Sequence, residues 1–168
     1  LVVDLHPAPG CLDLRAGKPA VRGAVVLAQR PEFLFAYGSP TAYLVHRAIP
    51  QTGIDFDYVP VLLGGIFKAI GNQSPMQSYG HIGAKVAYDR LEMQRFMTRY
   101  GIVGFQMNPH FPVNTLQIMR GAVAARRLGV AAAYDEAMFA GMWERGLKLD
   151  LPDVIERTLA QAGLPAEI

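Results

Sequence analysis

Ser39 stands directly before Pro40 in the run Ser39-Pro40-Thr41-Ala42-Tyr43-Leu44. A serine followed by proline is a helix start, because the hydroxyl caps a free backbone N–H and proline is tolerated at the first helical position. A hydroxyl there can also donate a charge-assisted hydrogen bond to an anion, a thiolate included, which the positive end of the helix favours further. Taken alone, capping accounts for the pair. The other polar candidates say less by themselves. Asn72 follows Gly71 as turn asparagines do, and Lys85 and Tyr88 sit in a segment where a solvated lysine is the ordinary case. The loop Asn108-Pro109-His110-Phe111-Pro112-Val113-Asn114-Thr115 is stiffened by two prolines, Asn114 and Gln117 have the capping-box spacing, and a lone His110 reads as structural or solvated.

The elements that must position these residues follow from the pattern. Phe33-Leu34-Phe35-Ala36-Tyr37, between Pro31 and Gly38, reads as a buried strand, and Pro50 closes the helix that Ser39 opens. A second strand runs from Ile54 to Val61, where apolar and acidic residues alternate, so the short helical connection implies a parallel βαβ unit. A short helix covers Ile66 to Ile70, and a loop rich in Gly, Ser, Pro and Asn is expected as far as Gly83. Everything beyond reads as helix. Lys85 to Tyr100 carries Val86, Tyr88, Leu91, Met93, Phe96, Met97 and Tyr100 as a broad buried face that Gly101 ends. Asn114 opens a further helix to Gly129, and two more run through Tyr134–Gly146 and Pro152–Gly163. The stripe of Met138, Met142 and Trp143 reads as core.

Composition narrows the function. With 51% hydrophobic and 18% charged residues the 168-residue chain is globular, and its net charge of +2 is dispersed, which gives no footprint for nucleic acid or a membrane surface. The single cysteine, Cys11, excludes an intrachain disulfide and a CxxC redox pair, and a reducing, cytoplasmic setting is expected. His6, His46, His81 and His110 have no zinc-like spacing, so no metal is expected. The apolar stretch Gly23–Ala28 is too short for a membrane span.

In order along the chain, Phe33 to Leu44, the segment Pro60 to Pro75 with Phe67-Lys68-Ala69-Ile70-Gly71-Asn72, Lys85-x-x-Tyr88 and the Phe111-Pro112-Val113-Asn114-Thr115 loop together resemble the 2-hydroxychromene-2-carboxylate isomerase family. These are glutathione-using relatives of DsbA and of the kappa-class glutathione transferases. The resemblance covers about residues 32 to 163. It implies an α/β fold: an incomplete thioredoxin-like βαβ unit with a large all-helical insert domain. Residues 1–31 are then an extension expected to be poorly ordered, 32–63 the N-terminal half of the thioredoxin-like domain, and 64–168 the helical domain.

By the same resemblance the cofactor is glutathione and Ser39, at the position of the first cysteine in redox relatives, is the catalytic residue that holds its sulfur. Asn72 and Lys85 would bind glutathione, while Tyr88, Asn108, Phe111 and Asn114 would contact the substrate. The implied reaction interconverts 2-hydroxychromene-2-carboxylate and trans-hydroxybenzylidenepyruvate: the thiolate adds to the conjugated side chain, a bond rotates, and the thiolate leaves. Family members continue with a cis-proline loop, two strands and a last helix. No such segment is read here, so a C-terminally shortened form with weak or lost isomerase activity is expected. Alternatives are a kappa-like glutathione transferase or peroxidase and a non-catalytic helical fragment, whereas thiol oxidoreduction is disfavoured by Ser39. The expected partners are a small aromatic substrate and a second copy in a homodimer, without nucleic acid or membrane.

Overall fold

The structure, a computed structural model, describes residues 30–168. Cys11, His6, Gly23–Ala28 and all of the expected extension except Arg30 and Pro31 lie outside the described residues. Strand β1 (Glu32–Phe35), helix α1 (Pro40–Ala48), a 3-10 turn at Ile49–Thr52 and strand β2 (Asp57–Pro60) form one parallel βαβ unit. Glu32 pairs with Asp57 and Phe35 with Pro60. The rest is helical: α2 (Leu63–Ala69), α3 (Pro75–Tyr79), α4 (Gly83–Tyr100), α5 (Leu116–Arg127), α6 (Ala131–Trp143) and α7 (Pro152–Gln161). The α/β class with a two-stranded parallel sheet and a large helical insert is therefore the observed architecture.

Both strands are shorter than their apolar runs. β1 stops at Phe35 because the Ala36 carbonyl accepts from Ser39 N at 3.0 Å, turning the chain before the helix. β2 is flanked by Asp57 N to Pro31 O and Val61 N to Phe35 O, both 2.9 Å, so Ile54 lies upstream of the ladder and is exposed. Three helical expectations also change. The segment read as loop contains α3, where Ser74 accepts from Gln77 N and the Gln77 side chain accepts from Ser74 N, a complete capping box around Pro75. α4 ends at Gly101 in the left-handed conformation (φ 61°), as its glycine predicts. Its expected broad buried face, however, is not formed: no residue of α4 is fully buried, Met93, Phe96 and Met97 of its second half pack half-buried on the core, and Tyr88 and Leu91 are exposed. The capping box expected of Asn114 and Gln117 does not form. α5 begins at Leu116 after Thr115, and the Asn114 side chain accepts from Leu116 N two residues on.

One core joins the strands to the helices. Phe35, Ala36 and Tyr37 at the end of β1 meet Tyr43 and Leu44 of α1, Ile118, Ala122 and Ala125 of α5, and Tyr134, Met138, Phe139, Met142 and Trp143 of α6. Each fully buried large side chain contributes about 1.5–3 kcal/mol. Those contributions support a sheet that two strands alone would leave marginal. Among the described residues no helix is long and apolar enough to cross a membrane.

Candidate functional site

Ser39 is the N-cap of α1, in extended conformation with Pro40 at the first helical position. Its Oγ accepts from Ala42 N at 3.2 Å and lies 3.0 Å from Thr41 Oγ1. The first turn of α1 contains no acidic residue, so nothing in that turn offsets the positive helix end. With one lone pair engaged by Ala42 N, the Ser39 hydroxyl has a hydrogen that it can direct to Thr41 or to an anion in front of the helix.

The turn carrying Ser39 is held from inside the protein. Tyr37 is fully buried, and its carbonyl accepts from Trp143 Nε1 at 2.8 Å. Its hydroxyl donates to Asp135 Oδ1 at 2.5 Å, and Asp135, 3% exposed, accepts in turn from Arg126 at 2.9 Å. Arg126 also donates to the Tyr58 and Ala122 carbonyls and stacks over Phe35. Burial, and then the neighbouring Asp135 charge, push the Tyr37 hydroxyl well above its usual pKa, so it stays a donor. Gly38 packs against Thr115: a Cβ at position 38 would stand 3.3 Å from the Thr115 methyl. The start of α5 therefore abuts the Ser39 turn.

Other residues singled out in the sequence are distributed over three places. Asn114 and Phe111 belong to the loop that reaches this turn. Phe111 is half-buried with its ring 5.9 Å from Trp143, and Asn114 is exposed. Asn108 in the same loop is buried. Its amide nitrogen donates to Met142 O and Leu147 O at 3.0 and 2.9 Å, and its oxygen accepts from His110 N at 2.8 Å. Its side-chain nitrogen and oxygen are thus both engaged by the protein, which fixes the loop where α6 ends. His110 itself is exposed. Asn72, Lys85 and Tyr88 lie on the segment from α2 to the first half of α4. Asn72 Oδ1 accepts from Gln73 N at 2.8 Å, and among the described residues its NH2 group has no partner. Lys85 pairs with Asp89 at 2.8 Å and stands over the Tyr88 ring, and the Asp89 hydrogen bond raises its pKa. Among the described residues no hydrogen bond, ion pair or ring contact links these three to Ser39.

Two clefts, of about 360 and 440 Å³, lie between α6 and α7 and along α4, and Ser39 lines neither. Among the described residues no group of three or more His, Cys, Asp or Glu side chains is placed to hold a metal ion. Sequence reasoning missed Tyr37, Asp135, Arg126 and Thr115 as parts of this region. The available signal was Asp135 itself, one turn before Phe139 on the buried face of α6, where a carboxylate needs a partner.

The profile of the DSBA-like thioredoxin domain matches residues 32–168. A solved structure of a 2-hydroxychromene-2-carboxylate isomerase superposes with a TM-score of 0.65 at 24% identity, covering 81% of this chain. The match spans 66% of that protein's length, just under two thirds. Among curated proteins none matches. A profile matched from the first strand to the last residue, over the βαβ unit and its helical insert, places the chain in the DSBA-like thioredoxin domain family.

Proposed function

We propose that this chain binds glutathione and acts as an isomerase of the 2-hydroxychromene-2-carboxylate type, with Ser39 as the residue that holds the sulfur. The observation that carries the reading is the Ser39 hydroxyl at the start of α1, which accepts from Ala42 N and has a hydrogen that it can share with Thr41 or direct outward. Such a donor at a positive helix end fits a thiolate, whose charged form both features favour. Glutathione, when bound, supplies the nucleophilic thiol. The chain's own contribution is to bind it, to keep the sulfur ionised through Ser39, and to present an apolar surface to an aromatic substrate. Asn72 and Lys85 are suited to the peptide's carbonyl and carboxylate groups, although Lys85 must share its charge with Asp89. Tyr88, Phe111 and Asn114 are assigned to the substrate side, with Asn108 shaping the loop that carries Phe111.

Calorimetry with glutathione on the full chain and on Ser39→Ala tests the reading. Loss of a hydrogen bond to a charged group should weaken binding roughly tenfold or more. Wild-type chain that binds no glutathione overturns the proposal. Turnover assays then separate the chemistries: unchanged glutathione with isomerised substrate supports isomerisation, whereas a glutathionylated product assigns transferase chemistry.

A further inference from the structure

We infer that Tyr37 and Asp135 are positioning residues for Ser39, a buried polar link from α6 to the turn that sets the direction of the Ser39 hydroxyl. The inference rests on the glutathione reading for its functional consequence, but its structural half stands on the contacts alone. Tyr37 and Ser39 are separated by one glycine, so the backbone between them has little side-chain packing of its own to fix it. The ring of Tyr37 is packed against Phe35, Phe139 and Tyr134, with centroids 5.3, 5.0 and 6.1 Å away. A phenylalanine would meet those neighbours equally well. The hydroxyl therefore adds something other than packing, and it is directed at a carboxylate that is 3% exposed.

A buried carboxylate is unfavourable unless its lone pairs are used, and here Arg126 and Tyr37 use them. Apolar side chains would fill the same space at lower desolvation cost, but a hydrogen-bonded network admits fewer arrangements than a greasy contact. Arg126 widens the link: it donates to β2 at Tyr58 O, to α5 at Ala122 O and to α6 at Asp135. One charged cluster thus ties three elements to the residue two before Ser39. Trp143 secures the opposite side of the same residue through its carbonyl. Fixed at both its carbonyl and its ring hydroxyl, Tyr37 leaves the Gly38–Ser39 segment a single path into α1, and Ser39 N closes it on Ala36 O.

The consequence concerns ionisation more than affinity. A Ser39 hydroxyl held in one direction stabilises a thiolate, whereas a mobile one stabilises thiol and thiolate more evenly. The test uses the full chain, Tyr37→Phe and Asp135→Asn. Two readouts are taken: amide hydrogen exchange of the peptide spanning Ala36 to Leu44 without ligand, and the pH profile of thiolate absorbance with glutathione bound. S-methylglutathione, which has no thiol to ionise, serves as the affinity control. Tyr37→Phe should speed exchange in that peptide about tenfold while distant α7 is unaffected. It should also move the thiol titration of bound glutathione toward that of the free thiol, with S-methylglutathione affinity unchanged; Asp135→Asn, which also takes the charge partner from Arg126, should shift both readouts in the same direction. Unchanged exchange and an unchanged titration overturn the inference, and so does a parallel loss of affinity for both ligands, which marks a purely structural role. If the wild-type chain binds no glutathione, the functional reading falls by itself, and the exchange measurement still decides whether Tyr37 and Asp135 hold the turn.

Discussion

The indole Nε1 of Trp143, at the end of α6, donates to the Tyr37 carbonyl at 2.8 Å, across a sequence separation of 106 residues. Both side chains are fully buried, so water cannot replace the bond if it is removed. Trp143→Phe keeps an aromatic ring against Phe105 and Phe111 but leaves the carbonyl without its donor. The expected loss is about 2–4 kcal/mol, combining an unsatisfied buried acceptor with a small cavity. Urea unfolding monitored by circular dichroism measures it. A loss below about 1 kcal/mol would show that the hydrogen bond to the Tyr37 carbonyl adds little to stability.

Gly38 and Thr115 make a second, steric prediction about the same turn. A methyl at position 38 would approach Thr115 Cγ2 to 3.3 Å, closer than it sits comfortably. Gly38→Ala should therefore cost about 1 kcal/mol through strain between the turn and the start of α5. Thr115→Ser removes that methyl and keeps the hydroxyl, so in the double variant much of the cost should disappear. A double-mutant cycle from urea unfolding reads the coupling, and strict additivity would mean that the contact is not the cause.

These relationships explain what the sequence disclosed and what it withheld. The Ser39-Pro40 start was legible because capping is local, decided by one hydroxyl and one amide three residues on. Gly101 was legible for the same reason: the end of α4 needs a left-handed residue at that position. The α3 capping box was spelled out by Ser74, Pro75 and Gln77, but the surrounding Gly, Asn and Ser residues give the composition of a loop, and a five-residue helix has no room to show a period. Asn114 was misplaced by one residue for a related reason, since its side chain can accept from the chain two residues on as readily as it can cap. Asp135 lay beyond local reasoning altogether. Its burial makes sense only with Tyr37 98 residues away and Arg126 on the neighbouring helix, and spacing along one helix carries no record of such partners.

Asn108 makes a third prediction, about how its loop is fastened. Its side chain spans from the 105–115 loop to the carbonyls of Met142 and Leu147, fastening the loop where α6 ends. Asn108→Ala should cost about 2–4 kcal/mol because two carbonyls lose their donor at once. Asn108→Asp, of nearly the same size, should be at least as damaging at neutral pH, since it turns a carboxylate toward those carbonyls. A variant that unfolds at the wild-type urea concentration would show that these hydrogen bonds are not what fastens the loop.

Acid should loosen the contact between α1 and α6 through His46 and Glu136. The His46 ring stacks on Phe139 with centroids 4.7 Å apart, its Nδ1 lies 2.9 Å from the Tyr58 hydroxyl, and its Nε2 lies 3.3 Å from Glu136 Oε2. Burial lowers the His46 pKa below its ordinary value of 6.5, with the Glu136 hydrogen bond opposing in part. As pH falls below 6.5 the unfolded chain takes up a proton that the folded chain resists, so this contribution to stability is full above 6.5 and is lost on acidification. Glu136 acts with the same sign. Burial alone would raise its pKa, but two 2.8 Å bonds from Arg47, and then the His46 contact, bring it below 4.5. Its contribution is therefore present above 4.5 and disappears at still lower pH. The urea midpoint should stay level from about pH 8 to about pH 7 and then decline in two stages. His46→Gln, which keeps hydrogen-bonding capacity but cannot titrate, should flatten the upper stage and leave the lower one. A wild-type midpoint that does not change between about pH 7 and about pH 5 would show that protonated His46 is accommodated, with its attraction to Glu136 balancing the loss of solvent.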